Sequence, residues 1–297
     1  MLSRRHVLTG SAALLGLTAC RQNAGVIAGG EQKIDKLGIQ TYTLREIFEP
    51  DPQGTLNLIK SVGYDYVELN RRNFAERSPQ ELADMVKRAG LYSPATHSNY
   101  NDIKADPKAV AQICKTLGCK FAIIPWMDED VRTADDWKRH ATVMNEAGKV
   151  FADSGMALAY HNHQFEFDDL GGGVTAMQIL LENTNPDLVD FQLDIFWAKL
   201  ASIDISALFA AHPNRFKLCH IKDMKGDPKA YVSSRAYEDI TKELMVNVGE
   251  GNIDFPAIFR QNQISGMEYF IAEHDSPVKP FRDAIATSHD AIRNMRF

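Results

Sequence analysis

The sequence predicts an α/β fold in which eight parallel strands, each followed by a helix, close into a (β/α)8 TIM barrel. Strand-like apolar runs and amphipathic helical stretches alternate through residues 34–297, the pattern of a parallel sheet with helical crossovers. Four consecutive predicted strands each end on a side chain that binds metals or transfers protons. The length matches the roughly 250 residues of a single barrel, and no linker composition divides it into two domains.

Local start and stop signals place the elements of each unit. Ser78 to Glu81 has the capping-box pattern with Pro79 at the first helical position, and Thr133 with Asp136 predicts a long helix that ends at Gly155. Predicted strands cover residues 36–42, 64–69, 91–96, 119–125, 155–161, 188–194, 216–220 and 269–273. Predicted helices lie near residues 54–61, 78–90, 106–118, 133–155, 174–182, 205–211, 255–261 and 280–295.

Ligand-type side chains follow the last four predicted strands. His161 and His163 end the fifth strand and share a face because strand side chains alternate, and Asp194, His220 and Glu273 end the next three. The carboxyl ends of all barrel strands open on one face, where catalytic groups collect. Neutral imidazole and carboxylate are both metal ligands and proton acceptors. The pattern therefore predicts a combined metal and proton-transfer site at that face.

Further candidates for substrate binding lie at neighbouring strand ends. Glu68, His97 and Trp126 follow the second, third and fourth strands, and Lys222 with Asp223 comes directly after His220. Polar groups there can bind sugar hydroxyls, and Trp126 or Trp197 can stack on a sugar ring. Glu166 is a further candidate, and it is the alternative metal ligand if His161 is not one. Packing or solvated surface roles stay open for these side chains.

One connection is longer than a barrel needs. Roughly thirty residues separate His220 from the helix near Phe255, whereas such loops usually have about 2 to 6. Long loops of this kind are commonly lids or interface arms. Gly249 and Gly251, on either side of Glu250, are expected to let the backbone approach a ligand closely.

The first residues resemble a twin-arginine lipoprotein signal. Arg4 and Arg5 precede a short apolar run at residues 7–17, and Cys20 ends a lipobox-like stretch. The resemblance implies an export signal at residues 1–20, lipidation of Cys20, a tether at residues 21–33 and a barrel at residues 34–297. We expect an exported, periplasmic protein that meets the membrane only through its lipid anchor.

Charge and cysteine usage exclude several classes of function. The net charge is -6 and there are no basic clusters, so nucleic-acid binding is not expected. Cys114, Cys119 and Cys219 remain in the domain, an odd number without the spacing of a disulfide framework or a zinc ribbon. We expect them to be small core residues.

Three motifs, together with the strand ends, resemble the xylose isomerase-like TIM barrels named sugar phosphate isomerases/epimerases. They are GIQTYTLR at residues 38–45, GYDYVE at 63–68 and VGEGNIDF at 248–255. The resemblance implies a divalent ion held by a glutamate, an aspartate, a histidine and a glutamate on strands five to eight. The last three fall on Asp194, His220 and Glu273, whereas His161 replaces the first glutamate. Mn2+ is the expected ion, with Co2+, Mg2+, Zn2+ and Fe2+ as alternatives.

That family includes ketose 3-epimerases, inosose dehydratases and lyases acting on 3-keto-glycosides. The resemblance implies proton abstraction next to a carbonyl, with Glu273 as base and His163, or His161, as acid. Export favours an unphosphorylated sugar or keto-sugar as the substrate of an isomerase or epimerase. Elimination from a 3-keto-glycoside is the close alternative, and a lipid-anchored carbohydrate-binding protein without catalysis is the alternative from another class. A homo-oligomer is compatible with the sequence.

Overall fold

Eight parallel strands form a closed barrel in the computed structural model, which describes residues 31–70, 77–227 and 236–297. Each strand pairs with its neighbour in the chain, and the last pairs with the first, so the expected (β/α)8 barrel is confirmed. The barrel strands are β1 (Gly38–Gln40), β2 (Tyr66–Asn70), β3 (Tyr92–His97), β4 (Phe121–Ile124), β5 (Ala157–His161), β6 (Val189–Asp194), β7 (Phe216–Ile221) and β10 (Tyr269–Ala272).

The surrounding helices begin where the caps predict. Ser78 and Thr133 both form capping boxes, and Asp106 accepts a hydrogen bond from the backbone N–H of Ala109 at 3.0 Å. The helices are α1 (Arg45–Phe48), α2 (Pro52–Val62), α3 (Pro79–Arg88), α4 (Tyr100–Ala105), α5 (Pro107–Leu117), α6 (Ala134–Asp153), α7 (Ala176–Asn183), α8 (Ile195–Leu200), α9 (Ile205–Ala211), α10 (Tyr237–Glu243), α11 (Phe255–Phe259), α12 (Asn262–Ser265) and α13 (Phe281–Asn294). Short 3-10 helices cover Thr41–Leu44, Glu129–Val131 and Phe165–Phe167.

The barrel interior is filled by apolar side chains in the half that contains the N-terminal ends of the strands. Tyr66, Phe121, Leu218 and Ile271 fill it together with small alanines. Gly38 makes room for the Tyr66 ring, because a Cβ at position 38 would lie 2.1 Å from that ring. The outward strand residues pack against the helices in a separate, larger core.

The next inward layer, toward the carboxyl ends of the strands, is polar. Side chains two residues apart on a strand point the same way. Glu68 therefore lies above Tyr66, His220 above Leu218 and Glu273 above Ile271. All three of these polar side chains are buried. This polar layer is the floor of the site described below.

The long connection after β7 has its own structure where it is described. Strands β8 (Asp223–Met224) and β9 (Met245–Val246) form a two-stranded antiparallel sheet, and α10 lies between them in the chain. Met224, Ile240, Leu244 and Met245 pack with Trp197 in a small apolar cluster. Residues 228–235 of this connection lie outside the described residues. The sequence did not predict the short helices α1, α4, α8, α10 and α12.

The predicted export signal, including Cys20, lies outside the described residues. The end of the predicted tether is bound to the domain, because Gln32 exchanges two backbone hydrogen bonds with Phe297, at 2.8 and 3.0 Å. Within the described ranges, none of the helices combines the length and the apolar character needed to cross a membrane.

Candidate metal centre and active site

A cavity of about 660 Å³ opens at the carboxyl ends of the barrel strands. Six of the predicted site residues line it: His97, Trp126, His161, His163, Lys222 and Glu273. The other lining residues are Tyr42, Asn70, Ser98, Asn99, Pro125, Tyr237 and Asp275. The cavity therefore lies on the face where the strand ends predicted a site.

Asp194, His220 and Glu273 bring three donor atoms to one point. One donor from each lies within 4.8 Å of the others, and all three side chains are buried. His220 Nδ1 is 2.6 Å from Glu273 Oε2 and 3.9 Å from Asp194 Oδ2. His161 Nε2 lies 3.8 Å from the same Asp194 oxygen. The four residues proposed as ligands from the sequence thus converge, and His97 forms a second such group with His161 and His220.

The donor atoms of this cluster fit a divalent cation. Asp194 Oδ2 and His220 Nδ1 are buried, yet neither makes a hydrogen bond. Their nearest charged neighbours are Lys222 Nζ, 3.0 Å from Asp194 Oδ2, and Glu273 Oε2, 2.6 Å from His220 Nδ1. Buried polar atoms are normally hydrogen-bonded, so a carboxylate oxygen and an imidazole nitrogen without directed hydrogen bonds at one point call for an explanation. Mixed nitrogen and oxygen donors suit Mn, Fe, Co or Zn ions.

Glu68 and Gln192 determine which nitrogen of each histidine faces the cluster. Glu68 Oε1 accepts from His220 Nε2 at 2.6 Å, and Glu68 Oε2 accepts from Gln192 Nε2 at 2.7 Å. Gln192 Oε1 then accepts from His161 Nδ1 at 3.0 Å. Because these oxygens only accept, His220 carries its proton on Nε2 and His161 on Nδ1. When the rings are neutral, the nitrogens without a proton are therefore His220 Nδ1 and His161 Nε2, and both lie on the Asp194 side.

Burial and neighbouring charges shift the pKa values of the site in opposite directions. Burial favours a raised pKa for Glu68, but the charges of His97 and His220 hold it far below its usual range. Burial, aided by His220, keeps the pKa of His161 well below its usual value. For His220, burial is outweighed by the carboxylates of Glu273 and Glu68, which raise its pKa to about 10. Without a metal ion, His161 is therefore neutral, whereas His220 also carries a proton on Nδ1, which faces Glu273. A divalent ion bound by His220 Nδ1 would displace that proton.

Lys222 joins three carboxylates beside the cluster. Its Nζ lies 2.7 Å from Glu273 Oε2, 3.0 Å from Asp194 Oδ2 and 3.0 Å from Asp275 Oδ1. Tyr237 donates to Asp275 Oδ2 at 2.8 Å and so connects α10 to this group. Burial opposes the charge on Lys222, but the three carboxylates raise its pKa well above the usual value. Burial is likewise outweighed at Glu273, where Lys222 and His220 lower the pKa.

Four residues predicted to contact substrate do not line the cavity. Glu68 lies beneath it in the network already described. Glu166 accepts hydrogen bonds from Tyr160 Oη at 2.6 Å and from the backbone N–H of His163 at 2.7 Å, so both of its oxygens are used. It stabilises the end of the strand and belongs to neither of the two donor groups described above, and burial raises its pKa to about 7. Trp197 is fully buried and stacks on Tyr237 at 5.2 Å.

Asp223, the fourth of these residues, anchors the long connection. Its carboxylate accepts hydrogen bonds from the backbone N–H groups of Gly249 and Gly251, both at 3.0 Å, and of Met224 at 2.8 Å. A Cβ at Gly251 would lie 2.2 Å from Asp223 Oδ1. The glycines do allow a close backbone approach, but to this carboxylate and not to a ligand.

Sequence reasoning did not assign Gln192, Asp275, Asn70 and Tyr237 to the site. Strand alternation carried a usable signal for three of them, because Gln192 lies two residues before Asp194, Asp275 two after Glu273 and Asn70 two after Glu68. Amide side chains are not typical metal ligands, so the metal pattern does not single out Gln192 or Asn70. Tyr237 comes from the long connection, where no periodic pattern exists to place it.

Comparison with curated proteins finds inosose dehydratases. The chain is 30% identical over 177 residues to inosose dehydratase from Lacticaseibacillus casei, an alignment that covers 55% of this chain and 57% of the relative. The chain thus spans little more than half the length of the curated relatives it matches.

Several solved structures share the fold. A sugar phosphate isomerase/epimerase from Parabacteroides distasonis superposes with a TM-score of 0.70 at 24% identity, covering 89% of this chain and 94% of that one. IolI protein with a bound zinc atom gives 0.67 at 20% identity, covering 86% and 96%. The 3-keto-D-glucoside 4-epimerase YcjR from E. coli gives 0.61 at 17%, covering 86% and 99%.

A family model described as "Xylose isomerase-like TIM barrel" matches residues 56–295, which include the whole polar layer from Glu68 to Glu273. Together with the closed barrel and the donor cluster at its carboxyl end, this match shows that the chain belongs to the xylose isomerase-like TIM barrel family.

Proposed function

We propose that the protein is a divalent-metal-dependent isomerase or epimerase that removes a proton next to a carbonyl of an unphosphorylated sugar or keto-sugar. The observation that carries the proposal is the donor group of Asp194, His220 and Glu273 at a ligand-sized cavity, with His161 Nε2 3.8 Å from Asp194 Oδ2. Two buried donor atoms of this group make no hydrogen bond. These four residues would hold the ion, with Mn2+ expected. A bound divalent ion polarises a carbonyl and stabilises the charge of an enediolate.

The protein supplies two proton acceptors on the cavity wall. Glu273 is ionised because Lys222 and His220 hold its pKa low. His163 is neutral because burial and the charge of Lys222 lower its pKa. Glu273 takes the proton next to the carbonyl. The neutral His163 accepts the proton of the neighbouring hydroxyl group and then returns it at the neighbouring position, so that its ring ends neutral again. Lys222 keeps the Glu273 carboxylate in place at 2.7 Å.

The charge distribution of the cavity supports an unphosphorylated substrate. Among the lining residues that the structure describes, Lys222 is the one ammonium or guanidinium group. It already contacts Asp194, Glu273 and Asp275. A phosphate would therefore lack a free cationic partner on the described part of the wall, whereas hydroxyl groups find amide partners in Asn70 and Asn99.

Elimination is the second candidate, because curated relatives named inosose dehydratase support it. Its first step is the same proton abstraction, followed by loss of water or of an aglycone. A third candidate, a binding protein without catalysis, has no need for the convergent donor cluster.

One experiment separates the three candidates. The metal-loaded protein is incubated in D2O with free ketoses and with 3-keto-glycosides, and deuterium at the carbon next to the carbonyl is followed by NMR. Exchange that leaves a sugar isomer supports the isomerase or epimerase, and release of water or aglycone supports the lyase. The variant His220→Gln should lose exchange. The variant His212→Gln should keep it, because His212 is a half-buried residue directly after α9, away from the cavity. Absence of exchange with every substrate would refute an enolising enzyme.

We also propose that the chain is exported and anchored by a lipid on Cys20. The order of Arg4-Arg5, the apolar run and the cysteine supports this. Folding before export would let the protein take up Mn2+ inside the cell, away from ions that bind nitrogen and oxygen sites more strongly.

A further inference from the structure

The cavity wall has two chemically different halves. The half formed by β5 to β10 carries ionisable side chains: His161, His163, Lys222, Tyr237, Glu273 and Asp275. The half formed by β1 to β4 carries, apart from His97, uncharged ones: Tyr42, Asn70, Ser98, Asn99, Pro125 and Trp126. The proposed chemistry uses only the first half. The uncharged half is therefore where a part of the substrate that does not react would lie.

Trp126 is the prominent side chain of the uncharged half. It is 42% exposed, whereas Trp137 and Trp197 are 1% and 0% exposed. Large aromatic side chains dominate binding energetics because they bring much contact area with little entropy to lose. The exposed indole of Trp126 on the cavity wall therefore offers a surface on which a ligand ring can stack.

The Trp126 ring is held rigidly by its neighbours. It packs at right angles against His163, at 4.9 Å between ring centroids, and against Phe165, at 5.2 Å. The Arg132 guanidinium lies 4.7 Å from the Trp126 centroid and is itself tied to Met127 O by two hydrogen bonds of 3.0 and 2.6 Å. A ring fixed in this way pays little entropy on binding, which favours affinity.

We propose that Trp126, with the amides of Asn70 and Asn99, forms an outer subsite for a second ring of the substrate. The substrate would then be a glycoside, whose reacting sugar lies over the ionisable half and whose aglycone or second sugar stacks on Trp126. This inference rests on the proposed function for the position of the reacting sugar.

Size and position support the two-ring ligand. The cavity volume of about 660 Å³ falls within the range of roughly 300–1,000 Å³ that encloses drug-sized ligands. Trp126 touches His163, the proposed proton carrier, so the two halves adjoin directly. A ring joined to the reacting sugar through one glycosidic oxygen therefore reaches the indole. Uncharged amides pair with hydroxyls without the desolvation cost of a charge.

Binding of glycosides without a carbonyl tests the subsite apart from catalysis. Methyl β-D-glucoside offers one ring, and phenyl β-D-glucoside and methyl β-cellobioside offer two. Isothermal titration calorimetry with the metal-loaded protein should show that the two-ring ligands bind about tenfold more tightly or better. Trp126→Ala should remove most of this difference, and Trp126→Phe should keep part of it. Tyr92→Ala is the matched control, because Tyr92 is also 42% exposed but does not line the cavity.

Fluorescence provides an independent readout. Two-ring ligands should change the tryptophan emission of the parent protein but not that of Trp126→Phe, because the remaining Trp137 and Trp197 are buried. Equal affinity for one-ring and two-ring ligands, an equal loss for all ligands in Trp126→Ala, or no binding of any glycoside would overturn the proposal.

The outcome is separable from that of the proposed function. Deuterium exchange with free ketoses and with 3-keto-glycosides, measured on the same preparations, tests enolisation alone. Exchange without a Trp126-dependent preference removes the subsite and leaves the enzyme. A Trp126-dependent preference without exchange leaves the subsite and removes the proposed chemistry.

Discussion

Glu68→Gln should weaken metal binding although Glu68 lies outside the predicted ligand set. Its Oε1 accepts from Gln40 Nε2 and His220 Nε2, both at 2.6 Å, and its Oε2 accepts from Gln192 Nε2 at 2.7 Å. Glutamine of the same shape replaces one of these acceptors by an NH2 donor. One of the donors that face Glu68 must then turn or give up its proton.

Either placement of the new NH2 group disturbs a nitrogen of the cluster. If the new NH2 group of residue 68 faces Gln192, the Gln192 amide must rotate so that its oxygen accepts from that group. The NH2 group of Gln192 then points at His161 Nδ1, which in the parent protein lies 3.0 Å from Gln192 Oε1. The His161 proton must move to Nε2, the nitrogen on the Asp194 side. If the NH2 group faces His220 instead, the proton of that ring must move to Nδ1. In both cases a lone pair that faces the cluster is lost.

The expected loss is about 10- to 100-fold in metal affinity, the usual effect of removing a partner that orients a ligand. This corresponds to about 1.4–2.8 kcal/mol. The assay is competition with a chelator or calorimetry, using Mn2+ and metal-free protein, with circular dichroism to confirm the fold. A folded variant whose Kd for Mn2+ stays within about threefold of the parent would refute the tautomer argument.

Glu268→Gln is the control for this substitution. The same glutamate-to-glutamine change is made there outside the cavity. The Glu268 side chain is 45% exposed, and its carboxylate lies 2.8 Å from Lys120 Nζ. Exposed pairs contribute about 0–1 kcal/mol, so metal affinity should not change and stability should change little. An equal loss of affinity in the control would point to a general effect of the lost charge.

The remaining predictions concern catalysis, the long connection, pH and the anchor. Glu273→Gln should lower exchange and turnover by about 10²- to 10⁴-fold or more; NMR in D2O measures this, and activity within a few-fold of the parent would contradict the assignment. Gly251→Ala should lower the free energy of unfolding by about 1–3 kcal/mol in urea, because the new Cβ would lie 2.2 Å from Asp223 Oδ1 and 2.6 Å from a backbone oxygen; an unchanged midpoint would show that the turn relaxes freely. Burial raises the pKa of Asp190 to about 6. Between about pH 4 and pH 6 the folded state therefore keeps a proton on Asp190 that the unfolded state has released, so the free energy of unfolding falls as pH rises through this range. Asp190→Asn should remove that fall, and its Tm relative to the parent should increase from pH 4 to pH 7; a constant difference would count against it. Cys20→Ser should move the protein from the membrane fraction to the soluble fraction with the barrel intact, and retention in membranes would exclude the lipid anchor.

The elements of the barrel follow from local signals in the sequence. Caps such as Ser78 and Thr133 begin helices where their side chains satisfy free N–H groups, an interaction that needs only neighbouring residues. The bounds of the helix Ile205–Ala211 agree with the prediction, and the strand Tyr269–Ala272 ends one residue before the predicted end. Short helices such as α8 and α10 are the exceptions, since they are stabilised by packing and not by a period of their own.

The residues that end the strands were also readable, because alternation decides which side chains point into a barrel. His161, Asp194, His220 and Glu273 could be singled out on this ground before any contact was known. Their convergence is a consequence of parallel strands that all open on one face.

Which inward side chains touch was decided only by the tertiary structure. Glu68 reaches His220 across 152 positions in the chain, and Gln192 reaches His97 across 95. Such contacts depend on the stagger of neighbouring strands and on the closure of the barrel, which no local pattern encodes. The same holds for Glu166 and Trp197: the sequence marks them as polar or aromatic near a strand end, but burial against Tyr160 and Tyr237 turns both away from the cavity. Chemical type and inward direction are thus local properties of the sequence, whereas partner and protonation state arise from contacts between distant strands, because hydrogen bonds and charge act through space and not along the chain.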